Sequence, residues 1–156
     1  MAIDLTTAGI LVKWCVETTA GSRPTSGYAE LVGVKSIPET GGAPNALQTT
    51  VLKETVQHTY TDGLRDPGGS YALTVNDSNE FRTSFNTMYT AYTTAKAAGK
   101  ALWIEYYTPG ITGLASWFYT ADVAPLEFGG AEVDSVLENT VYLFPTSAPV
   151  NAAASS

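Results

Sequence analysis

The hydrophobic positions of this chain change their period twice. Up to Val75 the apolar residues come in short runs or alternate with polar ones, the pattern of strands whose side chains point to opposite faces in turn. Gly9 to Glu17 (GILVKWCVE) is mostly apolar and β-branched or aromatic, which suits a strand buried on both faces at its start. Gly21, Pro24 and Gly27 break it, and Tyr28 to Ile37 predicts the next strand. PETGGAPN then packs two prolines and two glycines into eight residues and cannot continue a ladder. From Leu47 to Tyr60 (LQTTVLKETVQHTY) a further strand is expected. Thr49, Val51, Lys53 and Thr55 share one of its faces, and Gln48, Thr50, Leu52, Glu54 and Val56 the other, so neither is a clean core face. Such a strand fits where both surfaces meet something partly polar, a neighbouring subunit or a water-filled bore; the plainer alternative is an edge strand. Tyr71 to Val75 is a short half-buried strand.

The period then becomes helical. In DSNEFRTSFNTMYTAYTTAKAAGK, Phe81, Phe85, Met88, Tyr89, Tyr92 and Ala95 form one stripe. Asp77 is the expected cap with Glu80 three residues on, Lys96 lies in the last turn and Gly99 at the stop, giving a helix over about 78–98. Strands return at Ala101 to Thr108, Leu114 to Phe128 and Val133 to Phe144. The last places Val133, Leu137, Val141 and Leu143 on a core face and Asp134, Glu138 and Thr140 on a wet one. Residues 146–156 are mostly Pro, Ala, Ser and Thr with little apolar bulk, and are expected to form a flexible tail. About seven strands and one helix, without a repeat, predict a mainly β fold: an antiparallel two-sheet sandwich or barrel with one flanking α-helix and a long extended loop.

Composition narrows the function. The chain of 156 residues fits a single domain, taken as 1–145, with a core of its own. A net charge of -7 argues against binding DNA through its phosphates, because that affinity comes from Lys and Arg. One Cys and one His exclude an intrachain disulfide framework and a Cys/His zinc site, and no metal or other cofactor is expected. No basic leader precedes an apolar run and no window has the length of a membrane helix, so the reading expects a protein that is cytosolic when made, with no membrane partner.

GLRDPGGS (Gly63 to Ser70) comes near a phosphate-cradling loop, but Gly69 stands where Lys is needed and Asp66 would place a negative charge at the phosphates. Pro67 removes a donor, and a strand rather than a helix follows. Glu105 between Trp103 and Tyr107, with Trp117 and Tyr119 on the next strand, would suit a carbohydrate-binding sandwich, although aromatic pairs in strands are equally a stabilising device. His58 has no nucleophile elbow near it. No catalytic constellation stands out, and the reading is a protein that is not an enzyme. A Gly/Pro-rich loop of this length points to a role outside its own domain.

The run from Ile37 to Asn76 resembles the central segment of the tail tube proteins (major tail proteins) of long-tailed bacteriophages. It carries I-P-x-x-G-G-x-P at Ile37 to Pro44, T-T-x-L-x-x-T at Thr49 to Thr55 and G-L-x-D-P-G at Gly63 to Gly68. Glu127 to Val141 (EFGGAEVDSVLENTV) is similar to the family's closing strand pair. The resemblance implies a β-sandwich with one flanking helix, six copies of which form a ring whose inner sheets join into a barrel. The rings stack into a tube, the conduit for DNA delivery into the host. It implies a virion protein made and assembled in the host bacterial cytoplasm, with further copies of itself, a tape measure protein, and tail terminator and tail tip proteins as partners. DNA transits the bore without specific binding. The tube of a contractile tail or of a secretion system shares the pattern. The inter-ring loop maps to about residues 38–70, with Pro38, Gly41, Gly42, Pro44, Asp62, Leu64, Arg65, Asp66 and Pro67 as its contact residues. Glu30 and Glu54 are the candidate bore-facing acids.

Overall fold

The computed structural model describes residues 7–41, 44–64 and 69–156. Among them are ten strands and one helix: β1 (Leu11–Val16), β2 (Ala29–Glu30), β3 (Val34–Ser36), β4 (Ala46–Gln48), β5 (Tyr60–Asp62), β6 (Tyr71–Asn76), α1 (Asn79–Ala97), β7 (Leu102–Tyr107), β8 (Ser116–Val123), β9 (Glu138–Pro145) and β10 (Val150–Ala152). The fold is mainly β, a curled antiparallel sheet with a small second sheet and a single helix, as the sequence pattern predicts.

The main sheet runs β2-β1-β7-β8-β9-β6-β3. Its two end strands are successive in the chain, separated only by Leu31, Val32 and Gly33. One segment therefore leaves the edge beside β1 and arrives at the edge beside β6, which folds the sheet back on itself. Backbone bonds continue through this corner: Leu31 N–H donates to Val12 O (2.8 Å) and Asn76 N–H to Gly33 O (2.9 Å). Gly33 has φ +87°, and a Cβ there would lie 3.1 Å from Asn76 O. The corner thus requires glycine both for its left-handed backbone and for the close approach.

The core lies inside the curl. Val12, Trp14, Leu102, Ile104, Tyr119, Leu73, Val75, Val141 and Leu143 from the strands meet Phe81, Phe85, Met88 and Tyr92 of the helix in one buried cluster. Burying one such side chain stabilises by about 1.5–3 kcal/mol. α1 begins one residue later than the sequence reading expects. Ser78, extended at φ -139°, caps it by accepting from Phe81 N–H, because the Asp77 carboxylate is held by a two-pronged bond from Arg82 (2.6 and 2.8 Å). Gly99 (φ +73°) ends it, with Gly99 N–H bonded to Lys96 O and Lys100 N–H to Ala95 O.

Tyr28 to Ile37 is two strands joined at the Leu31–Gly33 corner rather than one, and Leu114 to Phe128 is strand only over Ser116–Val123. Three further expectations are corrected. Leu47 to Tyr60 is not one strand. β4 and β5 pair with each other as a separate two-stranded ribbon (Ala46↔Asp62, Leu47↔Thr61, Gln48↔Tyr60), and the chain reverses between them. The mixed faces of this stretch reflect a reversal in solvent rather than a strand between two partners. Of Val133 to Phe144 only Glu138–Pro145 is strand. Val133 is exposed rather than on the core face, because a turn at Asp134 (φ 59°) rotates it outward.

The third concerns residues 146–156, expected to be a tail. Val150, Asn151 and Ala152 pair with Phe118, Trp117 and Ser116 of β8. Pro145 pairs with Ala121 and Val150 with Phe118, so β9 and β10 flank the same edge of β8 around a bulge at 146–149. Side-chain bonds supply what apolar bulk does not. Glu105, 0% exposed, accepts from Ser116 Oγ (2.6 Å), Ser155 Oγ (2.6 Å) and Ser155 N–H (3.0 Å), and Ser156 N–H donates to Thr25 O (3.0 Å).

Candidate assembly interface

The largest departure from an ordinary globular surface is the β4–β5 ribbon. Its own bonds hold it in shape. Thr49 N–H donates to Thr59 O (2.8 Å), Thr59 N–H to Thr50 Oγ1 (2.8 Å), and Gln48 Nε2 lies 2.8 Å from His58 Nδ1. At the tip, Glu54 N–H donates to Val51 O (3.0 Å), while the Glu54 carboxylate accepts from the N–H groups of Thr55 and Val56 (3.1 Å each). At the base, Gly63 N–H donates to Asn45 O. A Cβ on Gly63 would lie 2.7 Å from that oxygen, so glycine serves close strand approach here.

What the ribbon lacks is apolar burial. Leu47, Val51, Leu52, Val56, Tyr60 and Leu64 are all exposed, Leu52 at 106% and Leu64 at 88%. Apolar side chains gathered on a two-stranded ribbon make it the candidate contact surface of this chain, because an isolated ribbon is at best marginally stable in water. Of the expected contact residues, Pro38, Gly41 (φ +93°) and Pro44 are half-buried at the ribbon's root, while Asp62 on β5 and Leu64 beyond it are exposed. Gly42, Arg65, Asp66 and Pro67 lie outside the described residues. The two candidate bore acids are both exposed but do not come together. Glu30 sits on edge strand β2 opposite Lys13, and Glu54 is at the ribbon tip.

A second exposed apolar group went unnoticed in the sequence. Phe128, Val133 (91% exposed) and Val136 (70% exposed) stand on the loop between β8 and β9. The signal that could reveal them is the glycine pair Gly129-Gly130, which interrupts the chain between Phe128 and Val133.

The chemistry weighed for other functions finds no support in the geometry. Among the described residues no group of three His, Cys, Asp or Glu side chains could hold a metal ion. Glu105 lies beneath the C-terminal residues, where no sugar reaches it. Trp103 is pinned through Nε1 to Glu17 (2.9 Å), and Trp117 is left as a single half-exposed ring. Burial pushes the Glu17 carboxyl up, but bonds from Trp103, Gly21 and Ala101, with the charge of Lys100, outweigh it and hold the group below its ordinary value. These are structural roles.

No protein-family model matches this chain, and no curated protein matches it in sequence. Among solved structures, it is similar to a chain of the anti-feeding prophage baseplate, determined by cryo-electron microscopy with sixfold symmetrisation. The TM-score is 0.60 at 14% identity, covering 97% of this chain and 98% of that one. It is also similar to a chain of the tail of an empty GTA particle, determined by helical refinement with C6 symmetry, with TM-score 0.60, 9% identity, and coverage of 96% and 100%. The fold is shared with these tail and baseplate components over nearly its whole length. No membrane-length apolar helix occurs among the described residues.

Proposed function

We propose that this chain is a structural virion protein, a tail tube subunit that assembles into sixfold rings and that the rings stack into the conduit for DNA. The observation that carries the reading is the β4–β5 ribbon, with six exposed apolar side chains in a segment that is well bonded internally. The shared fold with components of sixfold tail and baseplate particles supports it. The open edges at β2 and β3 support it as well, since neighbours in a ring would cover them. Gly42, Arg65, Asp66 and Pro67 belong to the same inter-ring segment as Pro38, Gly41, Pro44, Asp62 and Leu64. A tape measure protein, tail terminator and tail tip proteins would be its other partners in the virion.

The net charge of -7 gives the bore its proposed property: an acidic lining repels phosphates, so DNA passes without adhering. Glu30 and Glu54 are the acids assigned to it. Replacing residues 38–68 by a short linker tests the reading. The expected product is a soluble, folded monomer that forms no tubes, and normal tubes from this variant would overturn the role given to the ribbon.

A further inference from the structure

Resting on the assembly reading above, the structure also points to the surface that receives the ribbon. The ribbon segment enters β6 at Tyr71, and the β8–β9 loop enters β9 at Glu138. In the β6–β9 register Tyr71 pairs with Leu143 and Asn76 with Glu138, so these two points lie at opposite ends of the same strand pair. β3 runs antiparallel to β6, with Val34 beside Val75 and Ser36 beside Thr74, carrying the chain toward the Tyr71 end before the ribbon begins. The loop is fixed at the other end by Asp77 N–H donating to Leu137 O (2.9 Å). Five residue steps along β6, about 17 Å, separate the two ends. The two exposed apolar groups of this subunit therefore connect to opposite ends of one strand pair, and both are exposed within the single copy.

Their chemistry matches. Residues 124–138 carry no Lys or Arg; Glu138 is paired with Lys35, which leaves Glu127, Glu132 and Asp134 as the acids of the loop. The ribbon tip carries Lys53 between exposed Leu52 and Glu54, and the Glu54 carboxylate is already engaged by backbone N–H groups of its own turn. The loop folds around a cleft of about 400 Å³ lined by Gly129, Gly130, Glu132, Ser135, Val136 and Leu137, wide enough for a leucine side chain.

We propose that the β8–β9 loop of one copy is the receptor for the β4–β5 ribbon of the next: Leu52 enters the cleft against Val136, and Lys53 meets Glu132 or Asp134. Tip and receptor are different surfaces at opposite ends, so the contact is heterologous and repeats without limit along one axis, as stacking demands.

Two single variants test this. Leu52→Asp spoils the tip and leaves the receptor intact, and Val136→Asp does the reverse. Both residues are exposed, so circular dichroism and melting temperature should match the parent. Each variant alone should require at least about tenfold higher protein concentration to form tubes, because one buried aliphatic contact per subunit is lost. Mixed in equal amounts they should form a discrete capped complex, seen by light scattering as one stacking step and no longer polymers, since only one good tip and one good receptor remain. Tubes formed by Val136→Asp at the parent's concentration, with Leu52→Asp impaired, would overturn the receptor assignment while leaving the tube reading standing. Failure of the unmodified protein to form tubes at any concentration would instead overturn the tube reading itself.

Discussion

The sharpest stability prediction concerns Gly33, where the main sheet turns back on itself. Gly33→Ala meets two obstacles. A φ of +87° is a conformation that alanine adopts at a cost of about 1–2 kcal/mol. The new methyl would also lie 3.1 Å from Asn76 O and 3.5 Å from Phe81 Cβ, tighter than ordinary contact for the first. Neither neighbour gives way freely: Asn76 is bonded through its own N–H to Gly33 O, and Phe81 is fully buried at the start of α1. Overpacking of this kind adds about 1 kcal/mol or more. Gly21 supplies the control, since its φ is +82° but nothing lies within 4 Å of a Cβ there. Gly21→Ala should therefore cost about 1–2 kcal/mol and Gly33→Ala about 2–4 kcal/mol, separating the backbone cost from the steric one. For a domain of this size these correspond to falls in melting temperature of about 2–8 °C and about 4–16 °C. Urea unfolding followed by tryptophan fluorescence reads both. A Gly33→Ala variant no less stable than Gly21→Ala would refute the account of the corner.

The C-terminal strand makes a second prediction. Ser155→Ala removes the hydroxyl bonded to the buried Glu105 and should destabilise by about 1–3 kcal/mol, with loss of hydrogen-exchange protection at β10, whereas a free tail predicts no change in either. Acid should weaken the fold through Glu17 and Asp77. The bonds to Arg82 hold the Asp77 carboxyl below its ordinary 3.8, and Glu17 is held below 4.5, so the stability each contributes is complete above those values and is lost as pH falls through the lower folded ones. Melting temperature should therefore drop below about pH 4, and less steeply in Asp77→Asn; an unchanged slope in that variant would remove Asp77 from the account. For the bore, Glu30→Lys should leave tubes intact and slow DNA ejection, and ejection at the parent's rate would count against an acidic, non-adhesive lining; Glu54 is not varied for this test, because its carboxylate holds the ribbon tip.

How far the sequence carries the structure depends on where each element's stabilising partners lie. α1 is legible because its stripe of Phe81, Phe85, Met88, Tyr89, Tyr92 and Ala95 and its stop at Gly99 are local signals; five of the six stripe residues are buried and Tyr89 is half-buried. Its cap moved from Asp77 to Ser78 because Arg82 competes for the Asp77 carboxylate, a choice between two adequate side chains that no periodicity decides. β10 is not legible at all. Val-Asn-Ala within an Ala/Ser-rich segment gives no strand pattern, and what holds it in place is pairing with Ser116 to Phe118, distant in the chain, with Ser155 just beyond it bonded to the buried Glu105. The ribbon sits between these cases. The mixed faces of Leu47 to Tyr60 correctly signal that this stretch does not serve its own core, but no glycine or proline between Thr49 and Thr59 betrays the reversal, so it reads as one strand. The same limit hides the β8–β9 loop, where Val133 keeps the alternation of Leu137, Val141 and Leu143 that the turn at Asp134 breaks.

The central claim is that these subunits stack through their ribbons into hollow sixfold tubes. Negative-stain electron microscopy of the purified, full-length protein across a rising concentration series tests it most directly. The account predicts sixfold rings in end view and long hollow tubes in side view, absent when residues 38–68 are replaced by a short linker. A particle that stays monomeric at every concentration would contradict it, most decisively if that monomer also bound glycans through Trp103 or Trp117.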